Sequence, residues 1–294
     1  MRKINKAIIP AAGMRTRLLP ATKAIPKEML PIINVPTIQL IVQEAINSGI
    51  KNILIVISKS KESIISHFRP NKDLEKILIQ RGKKQYADLV KKTGNLAKID
   101  FIYQKKPLGL GHAIGCGQKW TKNEPFAVLL GDDVVLTDKK SHVPALKQCI
   151  NAFYKTNSCI VGVQPVAREV ISKYGIVKPV NKKDLSKKVF KLADMVEKPE
   201  IKDAPSNYAA LGRYIFTKDI FNFIKKTKKD KSGEIQITDA LRKMMKTKNG
   251  VHSCIFSGTR YDLGNKLGMV KAFIDFALQD SEISNSIKKY LKKK

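Results

Sequence analysis

A loop near the start of the chain combines small residues with clustered charges that could bind phosphate. Ala11, Ala12 and Gly13 follow an apolar run at residues 7–9, which is typical of a buried strand. The loop then carries four cations and one carboxylate: Arg15, Arg17, Lys23, Lys27 and Glu28. Small residues after a strand let backbone N–H groups approach a ligand closely, and neighbouring cations can hold its negative charge. This combination indicates a polyphosphate site at the carboxyl end of a strand.

The alternative is an ordinary connection between a strand and a helix, with a solvated charged face. Three prolines stiffen the loop, namely Pro20, Pro26 and Pro31, and a stiff loop with four cations favours a binding role. The loop is neither a Walker A motif nor a dinucleotide-binding fingerprint, because the chain contains neither G-x-x-x-x-G-K-[ST] nor G-x-G-x-x-G.

Carboxylates follow two of the later predicted strands. Asp132 and Asp133 come after the apolar run 125–130, and Asp262 comes after the run 252–256. Carboxylates at strand ends can bind Mg²⁺, which prefers a few oxygen ligands together with substrate phosphates. A helix cap or a turn explains Asp132 and Asp133 equally well. If Asp132 and Asp262 meet at one edge of the sheet, they predict a divalent cation site.

Two further segments could contact a ligand. A glycine-rich segment from Gln104 through Gly109 follows a predicted strand, and Glu197 and Lys198 close another. A neighbouring acid and base on a turn could bind a sugar hydroxyl and a sugar phosphate. Taken alone, the first segment is better explained as a tight turn. The second could equally be a surface ion pair, which contributes little to stability.

The spacing of apolar residues predicts an α/β fold. In the first half, apolar runs of strand length alternate with helical patterns, at 6–11, 52–58, 99–104, 125–130 and 159–164. Continuous apolarity indicates strands buried on both faces of a parallel sheet, connected by right-handed crossovers. The first half therefore predicts a doubly wound sheet. The second half adds a strand pair at 174–180 and 189–196.

Composition excludes several classes of function. The chain has 294 residues, no apolar run of about 18 residues that could span a membrane, and an N-terminal apolar stretch too short for a secretory signal, which predicts a cytoplasmic protein. With four cysteines in no C-x-x-C spacing and four histidines, we expect no zinc site. The net charge of +31 suits nucleic acid, but only nine of the 56 cations are arginine, so we expect no specific nucleic-acid partner.

The cationic loop resembles the signature of sugar-nucleotide pyrophosphorylases, A-G-x-G-T-R-x-x-P followed by P-K-E-x-L-P. Its segment PATKAIPKEMLP is similar to the form found in the bacterial UTP–glucose-1-phosphate uridylyltransferase family. LLGDD, YGIV, VEKP, GRYIF, GEIQITDAL and YDLGNKLG follow in the order expected of that family, so the resemblance covers essentially the whole chain. It implies a Rossmann-like, doubly wound, mixed and mostly parallel sheet with appended sugar-binding strands.

The resemblance also implies a role for particular residues. The nucleotide contacts are Ala11, Ala12, Gly13, Glu28, Gln104, Gly109 and Asp132, of which Glu28, Gln104 and Gly109 read the uracil edge. The catalytic residues on the triphosphate are Arg17 and Lys27. The ligands of Mg²⁺ are Asp132 and Asp262. The residues that bind glucose 1-phosphate are Gly175, Glu197 and Lys198.

The reaction implied is transfer of uridylyl from UTP to glucose 1-phosphate, giving UDP-glucose and pyrophosphate with Mg²⁺. A homo-oligomer, dimer or tetramer, is implied through the C-terminal helices. The implied organisation is one nucleotidyltransferase domain over residues 1–294. Its nucleotide-binding half covers about 1–165, its sugar-binding half about 166–262, and a C-terminal helical segment about 263–294.

Arg15 stands where the family has glycine. Glycine at such a position serves a positive φ or a close approach to phosphate, and a non-glycine residue in the left-handed region costs about 1–2 kcal/mol. Either Arg15 is accommodated and activity survives, or the loop is displaced and catalysis is impaired. The alternatives to uridylyl transfer are therefore a related nucleotidyltransferase for another NTP or sugar 1-phosphate, and a catalytically impaired binding or regulatory homologue.

Overall fold

A computed structural model of the chain describes residues 3–13, 16–137 and 142–293, so Arg15 lies outside the described residues. The strands are β1 (Lys6–Pro10), β2 (Pro31–Ile32), β3 (Val35–Pro36), β4 (Asn52–Ile57), β5 (Lys98–Tyr103), β6 (Phe126–Leu129), β7 (Asp133–Leu136), β8 (Cys159–Pro165), β9 (Gly175–Pro179), β10 (Val189–Glu197), β11 (Tyr208–Phe216), β12 (Val251–Ile255) and β13 (Thr259–Asp262).

The helices are α1 (Thr37–Asn47), α2 (Glu62–Phe68), α3 (Lys72–Gln80), α4 (Lys84–Gly94), α5 (Gly109–Cys116), α6 (Gln118–Thr121), α7 (Ala145–Thr156), α8 (Ile220–Lys225), α9 (Ile237–Met245), α10 (Lys266–Ala277) and α11 (Ser284–Lys292). We define the cationic loop as residues 11–31. It contains short 3₁₀ turns at Thr16–Leu18 and Lys27–Met29, and a third such turn, Lys59–Lys61, follows β4. Within the described ranges, no helix is long and apolar enough to cross a membrane.

The main sheet has nine strands within the described part of the chain, in the order β5-β4-β1-β6-β11-β8-β12-β10-β9. Strands β5, β4, β1 and β6 are parallel, and β8 is parallel to β12. Only β11 and β10 run opposite to the other seven, since each pairs antiparallel with its neighbours. The prediction of a mixed and mostly parallel sheet is confirmed.

Helices cover both faces of this sheet because the strands are apolar on both sides. Ile8 and Ile9 are fully buried neighbours that point to opposite faces, as successive strand residues do. Ile9 belongs to the apolar cluster formed with α1, α2 and α7, whereas Ile8 belongs to the cluster formed with α5, α8 and α9. This double cover is the arrangement predicted from the continuous apolar runs.

Four short strands that the sequence analysis did not predict lie outside the main sheet, in two antiparallel pairs, β2 with β3 and β7 with β13. Strands β7 and β13 form an antiparallel pair in which Asp133 is opposite Asp262. The sequence analysis assigned no strand to either segment of this second pair, in which each strand has four residues and follows directly on a glycine-containing turn. The pair brings segments 127 residues apart in sequence to one edge of the molecule.

Candidate active site

The cationic loop begins where β1 ends, at the carboxyl edge of the sheet. The N–H of Ala11 donates to the carbonyl of Val56 at 2.8 Å, so the hydrogen bonding between β1 and β4 continues for one more residue. Ala11 and Ala12 are buried, whereas Gly13 is exposed. A Cβ at Gly13 would meet no described atom within 4 Å. The loop therefore leaves the sheet at Gly13 with open space beside its backbone.

Lys27 and Asp132 form a close ion pair across this edge. The Nζ of Lys27 lies 2.5 Å from Oδ2 of Asp132, in the turn between β6 and β7. Burial would raise the pKa of Asp132, but the ammonium of Lys27 outweighs it and holds that pKa below its usual range. Burial would likewise lower the pKa of Lys27, yet Asp132 raises it overall. Both groups are therefore charged at neutral pH.

A second carboxylate, Asp262, lies beside the same turn. Nη1 of Arg17 is 3.9 Å from Oδ2 of Asp262, and the Arg17 side chain is otherwise largely exposed. A Cβ built on Gly264 would lie 2.9 Å from Oδ1 of Asp262 and 3.4 Å from Oδ2 of Asp132. The two carboxylates therefore approach the same small volume, and a side chain at 264 would fill it.

Asp132 and Asp262 form a donor set that would fit Mg²⁺. The described residues contain no group of three His, Cys, Asp or Glu side chains that could hold a metal ion. Mg²⁺ is usually bound by one or two carboxylates together with waters and substrate phosphates. Asp132 and Asp262 supply two carboxylates, and the adjacent cations Arg17 and Lys27 would accompany a phosphate-bearing ligand.

Asp133, which the sequence offered as a second carboxylate beside Asp132, is turned away from this volume. Its carboxylate is buried and accepts hydrogen bonds from Nε of Arg260 at 2.9 Å. Burial raises the pKa of Asp133, while Arg260 and Arg213 oppose that rise. The carbonyl of Asp132 also accepts from the N–H of Leu263 at 3.0 Å, which joins the two carboxylate-bearing segments.

A cavity of about 250 Å³ opens beside Asp132. It is lined by residues of three segments that the sequence analysis had placed together, among them Ala12, Gly13, Lys27, Glu28, Gln104, Gly109 and Asp132. A larger open cavity of about 970 Å³ adjoins it and shares Ala12, Gly13 and Gln104. The two cavities together form a continuous cleft along the carboxyl ends of β1, β4 and β5.

Glu28 lies at the floor of the smaller cavity, held by a lysine that the sequence analysis did not single out. Lys61 is buried, and its Nζ lies 2.7 and 2.9 Å from the two carboxylate oxygens of Glu28. The same ammonium donates to the carbonyl of Ala11. Burial raises the pKa of Glu28, and Lys61 counteracts the rise. Lys61 thus joins both ends of the cationic loop to the segment that follows β4.

The glycine-rich segment after β5 is fixed from two sides. Nε2 of Gln104 donates to the carbonyl of Gly109 at 3.2 Å and lies 2.8 Å from Nδ1 of His112. Gly109 has a φ of +86°, and a Cβ there would lie 2.7 Å from Cβ of Glu234, so only glycine fits. The N–H of Ile235 donates to the carbonyl of Leu108 at 2.8 Å. The segment therefore opens α5 in a fixed orientation toward the cavity.

The predicted sugar-phosphate residues meet on β9 and β10. Gly175 pairs with Glu197 across the two strands, and a Cβ at Gly175 would lie 3.0 Å from Oε2 of Glu197. The hydroxyl of Thr238 donates to the same Oε2 at 2.7 Å, so α9 helps to orient Glu197. Lys198 follows directly and is exposed, with its Nζ 3.9 Å from Oε1 of Glu197. Glu197 and Lys198 thus form an exposed polar turn at the end of β10, and the buried Gly175 lies beside the Glu197 carboxylate.

Comparisons with known proteins show the family of the chain. Residues 6–280 match the family described as nucleotidyl transferase. The chain is 46% identical over 287 residues to a Bacillus subtilis protein named UTP–glucose-1-phosphate uridylyltransferase, covering 98% of this chain and 96% of that protein.

Solved structures give the same result. A UTP-bound UGPase from Acinetobacter baumannii superposes with a TM-score of 0.89 at 31% identity, covering 98% of both chains. A UDP-glucose pyrophosphorylase complexed with UDP-glucose superposes with a TM-score of 0.82 at 39% identity, covering 94% of this chain and 100% of that one. The chain therefore belongs to the nucleotidyl transferase family, within the group of UTP–glucose-1-phosphate uridylyltransferases.

Proposed function

We propose that the chain transfers the uridylyl group of UTP to glucose 1-phosphate and releases pyrophosphate. The observation that carries this proposal is the meeting of Arg17 and Lys27 with Asp132 and Asp262 at the carboxyl edge of the sheet. Two cations beside two carboxylates suit a polyphosphate with a bound Mg²⁺. The relatives named for this reaction match the chain over nearly its full length.

The nucleotide would lie in the cleft between the cationic loop and the segment that opens α5. Ala12 and Gly13 line this cleft and would run along the nucleotide, with the buried Ala11 just behind them. Glu28, Gln104 and Gly109 also line the cleft and would read the edge of the uracil ring. A carboxylate accepts hydrogen bonds and an amide both donates and accepts. Glu28 and Gln104 could therefore bind a base that presents an N–H between two carbonyl oxygens.

The sugar phosphate would bind at the polar turn that ends β10, next to the start of β9. Glu197, oriented by Thr238, would accept from a sugar hydroxyl, and the exposed ammonium of Lys198 would hold the phosphate. Gly175 leaves space beside the Glu197 carboxylate because any side chain there would collide with it. The acceptor is thereby placed on a different set of strands from the nucleotide.

In the proposed reaction, an ionised phosphate oxygen of glucose 1-phosphate attacks the α-phosphorus of UTP. The new P–O bond forms as the bond to the β-phosphate oxygen breaks, and pyrophosphate carries the electron pair away. The nucleophile is already an anion, so no general base is required. The protein has to position two anions that repel each other and to stabilise transition-state charge, which Arg17 and Lys27 would do. Mg²⁺, held by Asp132 and Asp262, would supply further charge neutralisation.

The exposed face of α10 supports a homo-oligomer. Leu267, Val270, Phe273 and Ile274 recur at helical spacing and are exposed in the single chain. An apolar stripe of this kind is typical of an interface between subunits. We propose that two copies of the chain associate through this face.

The proposed function is tested by measuring pyrophosphate release from glucose 1-phosphate with UTP, dTTP or GTP, with and without Mg²⁺. Mg²⁺-dependent release with UTP and not with the other nucleotides is the expected result. Release with dTTP in preference to UTP would assign the chain to a different nucleotide. Absence of release with every nucleotide, from a folded sample, would contradict the proposal and favour an impaired homologue.

A further inference from the structure

Arg260 contacts two parts of the site that lie on different pairs of strands. On one side, its Nε is 2.9 Å from both carboxylate oxygens of Asp133, and its Nη2 is 2.8 Å from Oδ2. On the other side, its Nη1 donates to the hydroxyl of Tyr174 at 3.1 Å, and its guanidinium lies 4.9 Å from the centre of the Tyr174 ring. Its side chain is largely buried.

The Asp133 side of this contact determines where the proposed metal carboxylates lie. Arg260 is two residues before Asp262 on β13, and Asp133 follows Asp132 directly and pairs with Asp262. The carbonyl of Asp133 accepts from Nη2 of the buried Arg213 at 2.8 Å, which anchors the segment to the main sheet. The pair Arg260–Asp133 therefore joins the two carboxylate-bearing strands by a charged, bidentate contact.

The Tyr174 side of the contact leads to the proposed sugar-phosphate turn. Tyr174 immediately precedes Gly175, and its carbonyl accepts from the N–H of Lys198 at 3.0 Å. Lys198 has a φ of +45°, a conformation that a non-glycine residue keeps only when its surroundings impose it. The backbone of Lys198 is thus hydrogen-bonded to Tyr174, whose side chain contacts Arg260.

We propose that Arg260 is a positioning residue that couples the metal-binding carboxylates to the sugar-phosphate turn. This inference rests on the function proposed above. Arg260 would not touch the reacting atoms. It would fix the distance between Asp132 and Asp262 on one side and Lys198 on the other, so that the attacking phosphate faces the α-phosphorus. A misplacement of about 1 Å between reacting groups can reduce the rate about 100-fold. The contacts of Arg260 with Asp133 and Tyr174 therefore matter in a reaction between two anions.

The test compares Arg260→Gln with the wild-type chain in steady-state kinetics. Loss of the Arg260 contacts should raise the Mg²⁺ concentration for half-maximal activity and the KM for glucose 1-phosphate by about 10- to 100-fold each. Changes of this size typically follow loss of partners that orient metal ligands. The KM for UTP should change much less, because Glu28 and Gln104 have no contact with Arg260. Binding of Mn²⁺ in the presence of UTP, followed by electron paramagnetic resonance, gives a readout that does not depend on turnover.

Two conservative variants separate the two sides of Arg260. Tyr174→Phe keeps the ring and removes one hydrogen bond, so it should raise the KM for glucose 1-phosphate about 3- to 10-fold and leave the Mg²⁺ requirement unchanged. Arg260→Lys keeps a positive charge beside Asp133 but lacks the guanidinium group that also reaches Tyr174. Compared with Arg260→Gln, it should therefore recover most of the Mg²⁺ affinity and little of the affinity for glucose 1-phosphate. These two variants test the inference even if Arg260→Gln fails to fold.

Lys6→Gln is the matched control. Like Arg260, Lys6 is a largely buried cation that forms an ion pair, here with the half-buried Glu124. It also lies over an aromatic ring, that of Trp120 at 5.8 Å, but at the opposite end of β1. The Lys6→Gln variant should be less stable than the wild type. Its Mg²⁺ concentration for half-maximal activity and its KM for glucose 1-phosphate should be unchanged. If Arg260→Gln, or both conservative variants, behaved like Lys6→Gln, the inference would be overturned while the proposed function stood. A wild-type chain with neither uridylyl transfer nor binding of Mn²⁺ with UTP would instead refute the proposed function.

Discussion

The ammonium of Lys61 lies 2.7 and 2.9 Å from the two carboxylate oxygens of Glu28, and both side chains are almost completely buried. Removing one member of a buried pair leaves an uncompensated charge, which typically costs about 3–5 kcal/mol. We expect Lys61→Met to reduce the free energy of unfolding by about this amount, and the double variant Lys61→Met/Glu28→Gln to recover much of it. Urea unfolding of the wild type and these two variants measures the free energies, and equal losses in the single and double variants would contradict the pairing.

The loss of free energy of unfolding caused by Lys61→Met should also depend on pH. The pKa of Glu28 is already raised above its usual 4.5 by burial, and removing Lys61 raises it further. A raised pKa in the folded state means that the folded protein binds the proton more tightly, so its stability is highest below the unfolded pKa and falls as pH rises through the folded one. The difference in free energy of unfolding between wild type and Lys61→Met should therefore be larger at pH 8 than at pH 5.

The Lys27→Met variant tests the proposed catalytic role of the ammonium. Lys27 would stabilise charge on the transferred phosphate, so its loss should lower kcat about 100- to 1,000-fold, as typically follows loss of one such contact, with a smaller effect on the KM for UTP. Lys98→Met is the control, because Lys98 is an exposed lysine at the start of β5, at the other end of the sheet. Unchanged turnover in Lys27→Met would rule out this role.

The space between Asp132 and Asp262 can be filled by one methyl group. A Cβ at Gly264 would lie 2.9 Å from Oδ1 of Asp262, which is closer than real contacts allow. Gly264→Ala should therefore raise the Mg²⁺ concentration for half-maximal activity about tenfold or more. Gly115→Ala in α5 is a matched control, since its new Cβ would meet Ile224 at an ordinary 3.5 Å. A similar Mg²⁺ requirement in both variants would argue against a metal site here.

Arg15→Gly restores the residue that the family signature has in the cationic loop. If Arg15 occupies a conformation or a space that suits glycine, the reversion should raise kcat/KM for UTP by up to about tenfold, the equivalent of about 1.4 kcal/mol. Initial rates at low UTP concentration measure the effect directly. An unchanged value would mean that the loop tolerates the arginine.

The exposed apolar face of α10 predicts the behaviour of the chain in solution. Val270→Lys places a charge within the stripe formed with Leu267, Phe273 and Ile274, and should dissociate an oligomer that uses this face. Leu89→Lys is a comparable exposed change on α4 and should leave the mass unaltered. Sedimentation equilibrium distinguishes the two cases. A monomeric wild-type chain, or an oligomer that survives Val270→Lys, would contradict the proposed interface.

Local sequence patterns predicted the centre of the main sheet well because strands such as β1, β4 and β6 are continuous apolar runs. The strand β4, with five successive buried residues, has no competing helical pattern. The same patterns missed β7 and β13, since a four-residue strand acquires its structure from its partner rather than from its own sequence. A charged pair such as Asp133 and Arg260 leaves no local signal, because its members are 127 residues apart.

Lys61 illustrates a second limit. A lysine between Ser60 and Glu62, shortly after a strand, is typical of an exposed position, and only the fold reveals that Lys61 is buried against Glu28. In contrast, Gly109 and Gly175 could be singled out from the family resemblance, and each now has a physical reason, because a side chain at either position would collide with a neighbour. The binding roles of the site residues remain predictions that the variants above address.

The most direct test is a phosphorus NMR spectrum of the chain incubated with UTP, glucose 1-phosphate and Mg²⁺. Uridylyl transfer predicts that the signals of both substrates decline together while the two phosphorus signals of UDP-glucose and the signal of pyrophosphate appear in equal molar amounts. Formation of UDP and orthophosphate without UDP-glucose, or a spectrum that does not change, would contradict uridylyl transfer to glucose 1-phosphate.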